Sequence, residues 1–267
     1  MPIRIATWNV NSVRLRVPAV QRLVDEHNPD VLCLQETKVH DDAFPLKSLK
    51  AAGFEHIAIS GQKSYNGVAI LSRLPLEQVD KQTWCGREDC RHLSAVLPGG
   101  IELHNFYVPA GGDVPDPDEN DKFAHKLAFM QEMTDWFGKR RRKDNKLVLV
   151  GDLNVAPHEN DVWSHKQLLK VVSHTPVEVE AMGAMYRSHD WTDAVRHFIP
   201  TSEKVYSWWS YRSPNWSDSD KGRRLDHVWV TPALKPALRH AEIVRAARGW
   251  DKPSDHVPVI VSLDVSG

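Results

Sequence analysis

Apolar residues along this chain follow two spacings, one near 2 and one near 3.6. Residues 3–8 read as a strand that runs into Trp8-Asn9-Val10-Asn11, and residues 17–27 place Val17, Val20, Leu23 and Val24 near the helical period. Residues 30–34 form the short apolar run of a buried strand, and residues 57–59 and 68–71 predict two more. Asn66-Gly67 introduces the second of these as a tight-turn dipeptide. Residues 93–97 and 101–108 bracket Pro98-Gly99-Gly100 and predict a hairpin. Residues 122–139 make an amphipathic helix with Phe123, Leu127, Met130, Met133 and Phe137 on one side. Strands at 146–150, 226–231 and 257–261 complete the series. Strands interleaved with helices, with one clear antiparallel pair, predict a layered α/β fold containing mixed sheets. No Ser/Gly tract or shift in composition divides the chain, so residues 1–267 are expected to form one domain.

Ligands of α/β sheets collect at the carboxyl ends of strands, and here several such ends carry oxygen-bearing side chains. Asn9 and Asn11 share one face by alternation, and so do Asp152 and Asn154 after the strand at 146–150. Glu36 follows the apolar run Val31-Leu32-Cys33-Leu34, and Asp255-His256 precedes the last strand. Each fragment alone has an ordinary reading as a turn residue, a loop residue or a helix cap. Their shared position at strand ends argues for one site. Segments 5–11 and 149–154 even echo each other, as apolar strands ending in closely spaced carboxamides or carboxylates that could face one another. Carboxylate and carboxamide oxygens suit a hard cation such as Mg²⁺.

Bulk properties narrow the classes. A chain of 267 residues with 34 basic and 35 acidic side chains has a net charge of -1, so any nucleic-acid partner must be met by local clusters of charge. Three cysteines argue against a disulfide framework, and without paired ligand spacing they do not form a thiolate zinc site. Cys33 sits in an apolar run and Cys85 and Cys90 are expected to be reduced. The chain runs from Met1 directly into a strand, without an n-region and h-region, and its apolar runs are too short to span a bilayer. A soluble cytoplasmic protein is expected, with no membrane partner.

The motifs Trp8-Asn9-Val10-Asn11-Ser12, Leu34-Gln35-Glu36-Thr37-Lys38, Tyr107-Val108-Pro109-Ala110-Gly111, Gly151-Asp152-Leu153-Asn154-Val155-Ala156-Pro157 and Ser254-Asp255-His256-Val257-Pro258 occur in this order across the chain. So do Ser64-Tyr65-Asn66-Gly67-Val68-Ala69, Ser207-Trp208-Trp209-Ser210-Tyr211-Arg212 and Arg224-Leu225-Asp226. Together they resemble the exonuclease III family of bacterial DNA repair nucleases, within the endonuclease/exonuclease/phosphatase superfamily. The resemblance implies a four-layer α/β sandwich, with two mixed β-sheets packed face to face and flanked by helices. It implies a Mg²⁺-dependent phosphodiesterase, with Mn²⁺ as a substitute, that cleaves 5′ to abasic sites and degrades duplex DNA from 3′ ends. A monomer is expected.

The same resemblance assigns roles. Glu36 would be the main metal ligand, with Asn9 beside it and Asp152, Asn154, Asp255 and His256 around the ion. Asp152 would deprotonate the attacking water, Asn154 would donate to the nucleophile or phosphate, and His256 would contact the phosphate while Asp226 accepts from its other ring nitrogen. Tyr107 would bind a phosphate oxygen. Asn66, Arg91, Trp208 and Arg224 are expected to touch DNA, as are the loop arginines Arg87, Arg212 and Arg223. Ala110 departs from the amide usual in the tyrosine motif, and the run 112–121 is unusually acidic for a DNA-facing loop. Two other readings share these residues. A relative acting on inositol phosphates or lipids would have no use for Arg224 and the Trp208 segment, and a non-catalytic DNA-binding relative would have no use for a full set of catalytic positions.

Overall fold

The computed structural model describes residues 2–213 and 215–265; Met1, Pro214, Ser266 and Gly267 of the expected domain lie outside the described residues. The chain begins β1 (Pro2–Asn9), α1 (Val13–His27), β2 (Val31–Gln35), α2 (Leu46–Ala51), β3 (His56–Ser60) and β4 (Val68–Ser72). It continues through β5 (Glu77–Asp80), β6 (His92–Leu97), β7 (Ile101–Tyr107), α3 (Asp121–Arg140) and β8 (Leu147–Asp152). Next come α4 (His165–Leu168), α5 (Pro176–Ser188), β9 (Thr192–Asp193), α6 (Ala194–Phe198) and β10 (Trp208–Trp209). The last elements are α7 (Trp216–Ser219), β11 (Gly222–Arg223), β12 (Asp226–Val230), β13 (Leu238–Ile243) and β14 (Val259–Asp264).

Two sheets of six strands run in the orders β13-β14-β1-β2-β4-β3 and β5-β6-β7-β8-β12-β9. Each contains one parallel pair, β1 with β2 and β7 with β8. Each also sets an antiparallel strand on the far side of that pair, β14 beside β1 and β12 beside β8. The echo between segments 5–11 and 149–154 therefore has a topological counterpart, since β1 and β8 hold equivalent places in the two sheets.

Alternation sorts the strand residues onto two faces. Ile3 and Ile5, Val31 and Cys33, Leu103, Val148 and Val150, Val228 and Val230 all point into one core between the sheets. The opposite faces meet helices. Ala6, Trp8, Leu32 and Leu34 pack with Val20 and Leu23 of α1 and Leu49 of α2. Phe106, Leu147 and Leu149 pack with Phe129, Met130 and Phe137 of α3 and Met182 and Met185 of α5. The result is the four-layer sandwich that the motif resemblance implies. Among the described residues no helix is long and apolar enough to cross a membrane.

Local differences from the sequence reading have physical causes. α1 starts at Val13 rather than Val17 and keeps Pro18 inside it. Its first turn is fixed by Arg16, which is buried while donating to the carbonyls of Asn11 and Pro253 and to the Tyr211 hydroxyl, a tertiary arrangement that periodicity does not register. α5 begins on a capping box between Thr175 and Glu178 with Pro176 in its first turn, a signal overlooked in the absence of a strong apolar stripe. The last strand starts at Val259 rather than Val257.

Gly151 is required by close packing beneath the site. At φ 138° a Cβ on this residue would lie 1.9 Å from the carbonyl oxygen of Phe106 on β7. Gly151→Ala should force β8 away from β7 and lower stability by about 1–3 kcal/mol through overpacking, with added strain from the positive φ. Thermal denaturation checks this, and an unchanged Tm would show that the strands part without cost.

Candidate active site

Parity decides which polar side chains can meet. Ile5 and Val150 face the opposite sheet, and so do Asn9 and Asp152 further along the same strands. Asp226 is the direct cross-strand partner of Asp152. At the ends of β1 and β8 the apolar core thus gives way to a buried cluster of amide and carboxylate groups.

Asn9 ties the two sheets together. Its Nδ2 donates to Glu36 Oε1 at 2.8 Å and to Asp152 Oδ2 at 2.9 Å, while its Oδ1 accepts from the Asn11 amide at 3.1 Å. Glu36 lies just past β2 in left-handed conformation, at φ 52°. It also accepts from the Tyr107 hydroxyl at 2.9 Å, and Lys38 Nζ stands 2.7 Å from its second oxygen. Lys38 Nζ donates as well to Asn11 Oδ1 at 2.6 Å. On the other side His256 Nδ1 is 2.8 Å from Asp226 Oδ2, and His256 Nε2 is 3.6 Å from Asp152 Oδ2. Ser207 donates to the same Asp226 oxygen at 2.6 Å. Asn154, at φ 54°, gives its amide N–H to Asp152 Oδ1 at 3.0 Å and its side-chain Nδ2 to the Val108 carbonyl at 2.9 Å. Asp255 is braced by Asn11 Nδ2 at 3.2 Å and by Trp208 Nε1 at 3.0 Å.

The charges are unequal. Burial alone would raise the Glu36 carboxyl, but Lys38 and Asn9 beside it hold its pKa below the usual value. Asp152 is raised to about 7, first by burial and then, against the pull of His256, by the nearby Asp226 and Glu36. Burial would depress the His256 ring, yet Asp226 and Asp152 on its two sides override that and lift its pKa far above an ordinary imidazole. Tyr107 is held well above its ordinary value by burial and by Glu36 and Asp152, so it is a neutral donor. The cluster therefore contains a fixed anion, an imidazolium and a carboxyl that exchanges its proton near neutrality.

The donor set fits a divalent cation at Glu36 and Asp152. Both are oxygen donors that meet at the Asn9 amide, and Lys38 already shows that Glu36 draws a positive group. Asp152, Asp226 and His256 also lie within 4.8 Å of one another. That trio suits an ion less well, because a protonated ring whose Nδ1–H is held by Asp226 has no lone pair to give. Asn9 presents its amide hydrogens, not its oxygen, to the carboxylates, and would ligate an ion only after its amide turned over. Asn154 spends one side-chain N–H on the Val108 carbonyl, and Asp255 accepts from Asn11 and Trp208.

The residues expected to touch DNA separate sharply. Trp208 is half-buried at the edge of the site, with its indole N–H on Asp255 and Arg223 stacked 5.2 Å from its ring, whereas neighbouring Trp209 is core. Asn66 and Arg91 stand on adjoining loops joined through Asp89, which accepts from both. Arg91 also stacks 4.8 Å over the Tyr107 ring. With Arg87, Lys122 and His125 it lines a cleft of about 430 Å³ beside Tyr107, to which the acidic run contributes Asp121. Arg224 corrects the expectation. It is wholly buried, gripped in two places by Asp161 at 2.7 and 2.9 Å and by Asp193 at 2.7 Å, so it cannot reach a phosphate backbone. Its charge reads as a loop cation in sequence because Asp161 and Asp193 are far away along the chain. The sequence motifs by themselves give no role to Lys38, which pairs with Glu36, or to Ser207, which bonds Asp226; their place beside Glu36 and Trp208 in the chain is the one signal for them.

Comparison with known proteins agrees with this geometry. Residues 6–256 match the model of the endonuclease/exonuclease/phosphatase family. The exodeoxyribonuclease III of Haemophilus influenzae is 29% identical over 96% of this chain and 98% of its own. The structure of an AP endonuclease from Archaeoglobus fulgidus superposes with a TM-score of 0.91 at 32% identity, covering 98% of this chain and all of that one. A 3′ phosphatase from Neisseria bound to a product DNA hairpin superposes with a TM-score of 0.89, also at 32% identity, over 98% and 99% of the two chains.

The burial of Arg224 makes a distinct prediction. Arg224→Met leaves Asp161 and Asp193 as buried carboxylates short of a partner, which should lower stability by about 3–5 kcal/mol. The loss should show as a lower Tm, with duplex DNA affinity unchanged at a temperature where the variant is folded. An undiminished Tm together with weakened DNA binding would restore Arg224 as a phosphate contact.

Proposed function

This chain belongs to the endonuclease/exonuclease/phosphatase family, and we propose that it is a divalent-cation-dependent DNA repair nuclease acting at abasic sites and 3′ ends of duplex DNA. The repair-nuclease function is supported by relatives of both kinds, an exodeoxyribonuclease III and an AP endonuclease, each matched over nearly the whole chain. The proposal takes the enzyme as a cytoplasmic monomer using Mg²⁺, with Mn²⁺ as a substitute. The observation that carries it is the meeting of the two sheets at Asn9, which bonds Glu36 to Asp152 while the Asp226–His256 pair stands against Asp152.

Bound at Glu36 and Asp152, the cation would neutralise charge gathering on the oxygens of the scissile phosphate. The chain's own groups do the rest. Asp152 accepts the proton of the attacking water, and burial with Asp226 and Glu36 nearby makes its carboxylate a stronger base than an exposed one. His256 keeps Nδ1–H on Asp226 and offers Nε2–H to a non-bridging phosphate oxygen, where an imidazolium stabilises negative charge. Asn154 has one side-chain N–H on the Val108 carbonyl and a second to give to the phosphate or nucleophile. Tyr107 can turn its hydroxyl from Glu36 to a phosphate oxygen. Trp208 and Arg223 on one side, and the Arg87–Arg91–Lys122 cleft on the other, flank the path a duplex would take.

The test is a duplex carrying one abasic site and a second carrying a 3′-phosphate, each incubated with Mg²⁺ or with excess chelator. Incision 5′ to the abasic site and release of the 3′-phosphate are expected with Mg²⁺ and not with chelator. Cleavage in chelator rejects the cation, and inertness toward both duplexes rejects the nuclease.

The role of Asp152 has its own signature. Asp152→Asn keeps shape and removes the base, so kcat should fall by about 10²–10⁴ with DNA affinity retained. In the native enzyme kcat should decline as pH falls below neutrality, because protonation removes the acceptor, with the bound cation holding the midpoint below the value of about 7 that the carboxyl has without it. A rate that stays flat to strongly acid pH would exclude Asp152 as the base.

A further inference from the structure

Behind the site, one ion pair is closed off from water on both sides. Lys126 on α3 and Glu178 on α5 are wholly buried and bonded to each other. Lys126 uses its remaining ammonium hydrogens on two main-chain carbonyls, that of Asn154 at 2.7 Å and that of Ala110 at 3.3 Å. Those carbonyls belong to the loops that follow β8 and β7, the strands carrying Asp152 and Tyr107. Glu178 in turn accepts from the Ser173 amide at 2.9 Å and the Thr175 hydroxyl at 2.6 Å, so it is locked to the start of α5.

Burying such a pair is a poor way to add stability, since apolar side chains of similar volume often do as well or better. What an ammonium does and a methionine cannot is fix the direction of two carbonyls at once. Asn154 needs that help. It sits in the left-handed region, which asparagine adopts more readily than other residues with a Cβ but still at some cost, and its peptide must turn so that the side-chain amide meets the Val108 carbonyl. We propose that Lys126, held by Glu178 and braced on the Ala110 carbonyl, is a positioning residue that fixes the Asn154 loop for phosphodiester hydrolysis. The inference rests on the proposed nuclease reaction and on the part of Asn154 in it. It adds that α3 and α5 set the geometry of the reacting groups from the far side of the sheet.

The decisive variant is Lys126→Met/Glu178→Gln. It removes both charges together, so no unpaired buried ion is left, and the glutamine can still accept at the start of α5. The readouts are Tm, and kcat and KM on abasic duplex at saturating Mg²⁺. Expected are a folded protein, an unchanged KM and a kcat lower by about 10–100-fold, the loss typical of a reacting group displaced by a fraction of an ångström to an ångström. Asn154→Ala serves as the second arm. If Lys126 works through Asn154, adding the charge-removing pair to Asn154→Ala should cost little further in kcat. A kcat equal to that of the native enzyme overturns the proposal, as does a full multiplicative loss on top of Asn154→Ala. A native enzyme that cuts neither duplex fails at the level of the function, whereas active native enzyme with an equally active variant fails at Lys126 alone.

Discussion

Negative charge is crowded where the two sheets meet, and the structure is organised around making that tolerable. Glu36, Asp152 and Asp226 come to one opening, with Asp255 beside it, and like charges at such distances in a water-poor setting repel strongly. Each has an identified counterweight. Lys38 and Tyr107 serve Glu36, Asn9 bridges Glu36 to Asp152, and His256 lies between Asp152 and Asp226. The compensation is incomplete at Asp152, whose carboxyl is pushed up to about 7. That residual imbalance is what suits the cluster to the cation and the base proposed for it.

Holding those groups requires the sheets to pack in one register. Below the carboxylates, Gln35 on β2 donates across the interface to Asn105 on β7 at 2.7 Å, and Asn105 donates back to the carbonyls of Leu34 and Ala69 at 3.0 and 2.9 Å. These buried amides act as keys, because sliding one sheet over the other would leave them unpaired in an apolar core. The apolar residues around them supply adhesion without direction, whereas hydrogen bonds discriminate between registers. Gly151 acts in the same sense by letting β8 lie close against β7 just before Asp152.

Buried ions recur in the scaffold behind the site. Arg224 with Asp161 and Asp193, and Lys126 with Glu178, anchor the loops that carry Asp226 and Asn154. In sequence such residues look like surface charges. Arg224 reads as a DNA contact for that reason, and Lys126 reads as one more polar residue on an amphipathic helix, yet both are buried. A charged side chain is read by its type until a partner distant along the chain is known, and burial reverses the meaning of the charge.

A layered α/β fold with mixed sheets and the inner strands were legible, since period-two alternation and short apolar runs are local properties of the chain. The four layers came only with the motif resemblance, and the edge strands β5 and β13 and the two-residue strands β9, β10 and β11 carry no such pattern. Also legible were the residues that meet at the sheet junction: Asn9, Glu36, Asp152, Asn154, Asp226 and His256 stand in ordered motifs beside the inner strands, and close spacing along the chain keeps each motif together in space. Tertiary structure alone decided what depends on contacts between distant segments. It placed Asp226 opposite Asp152 and set the His256 ring between them. It turned Asn9 into a donor to both carboxylates, divided Trp208 from Trp209 between site and core, and withdrew Arg224 from the surface. The physical reason is common to all of these. Residue type and spacing fix what a side chain can do, but burial, partner and direction are set only when the two sheets close on each other.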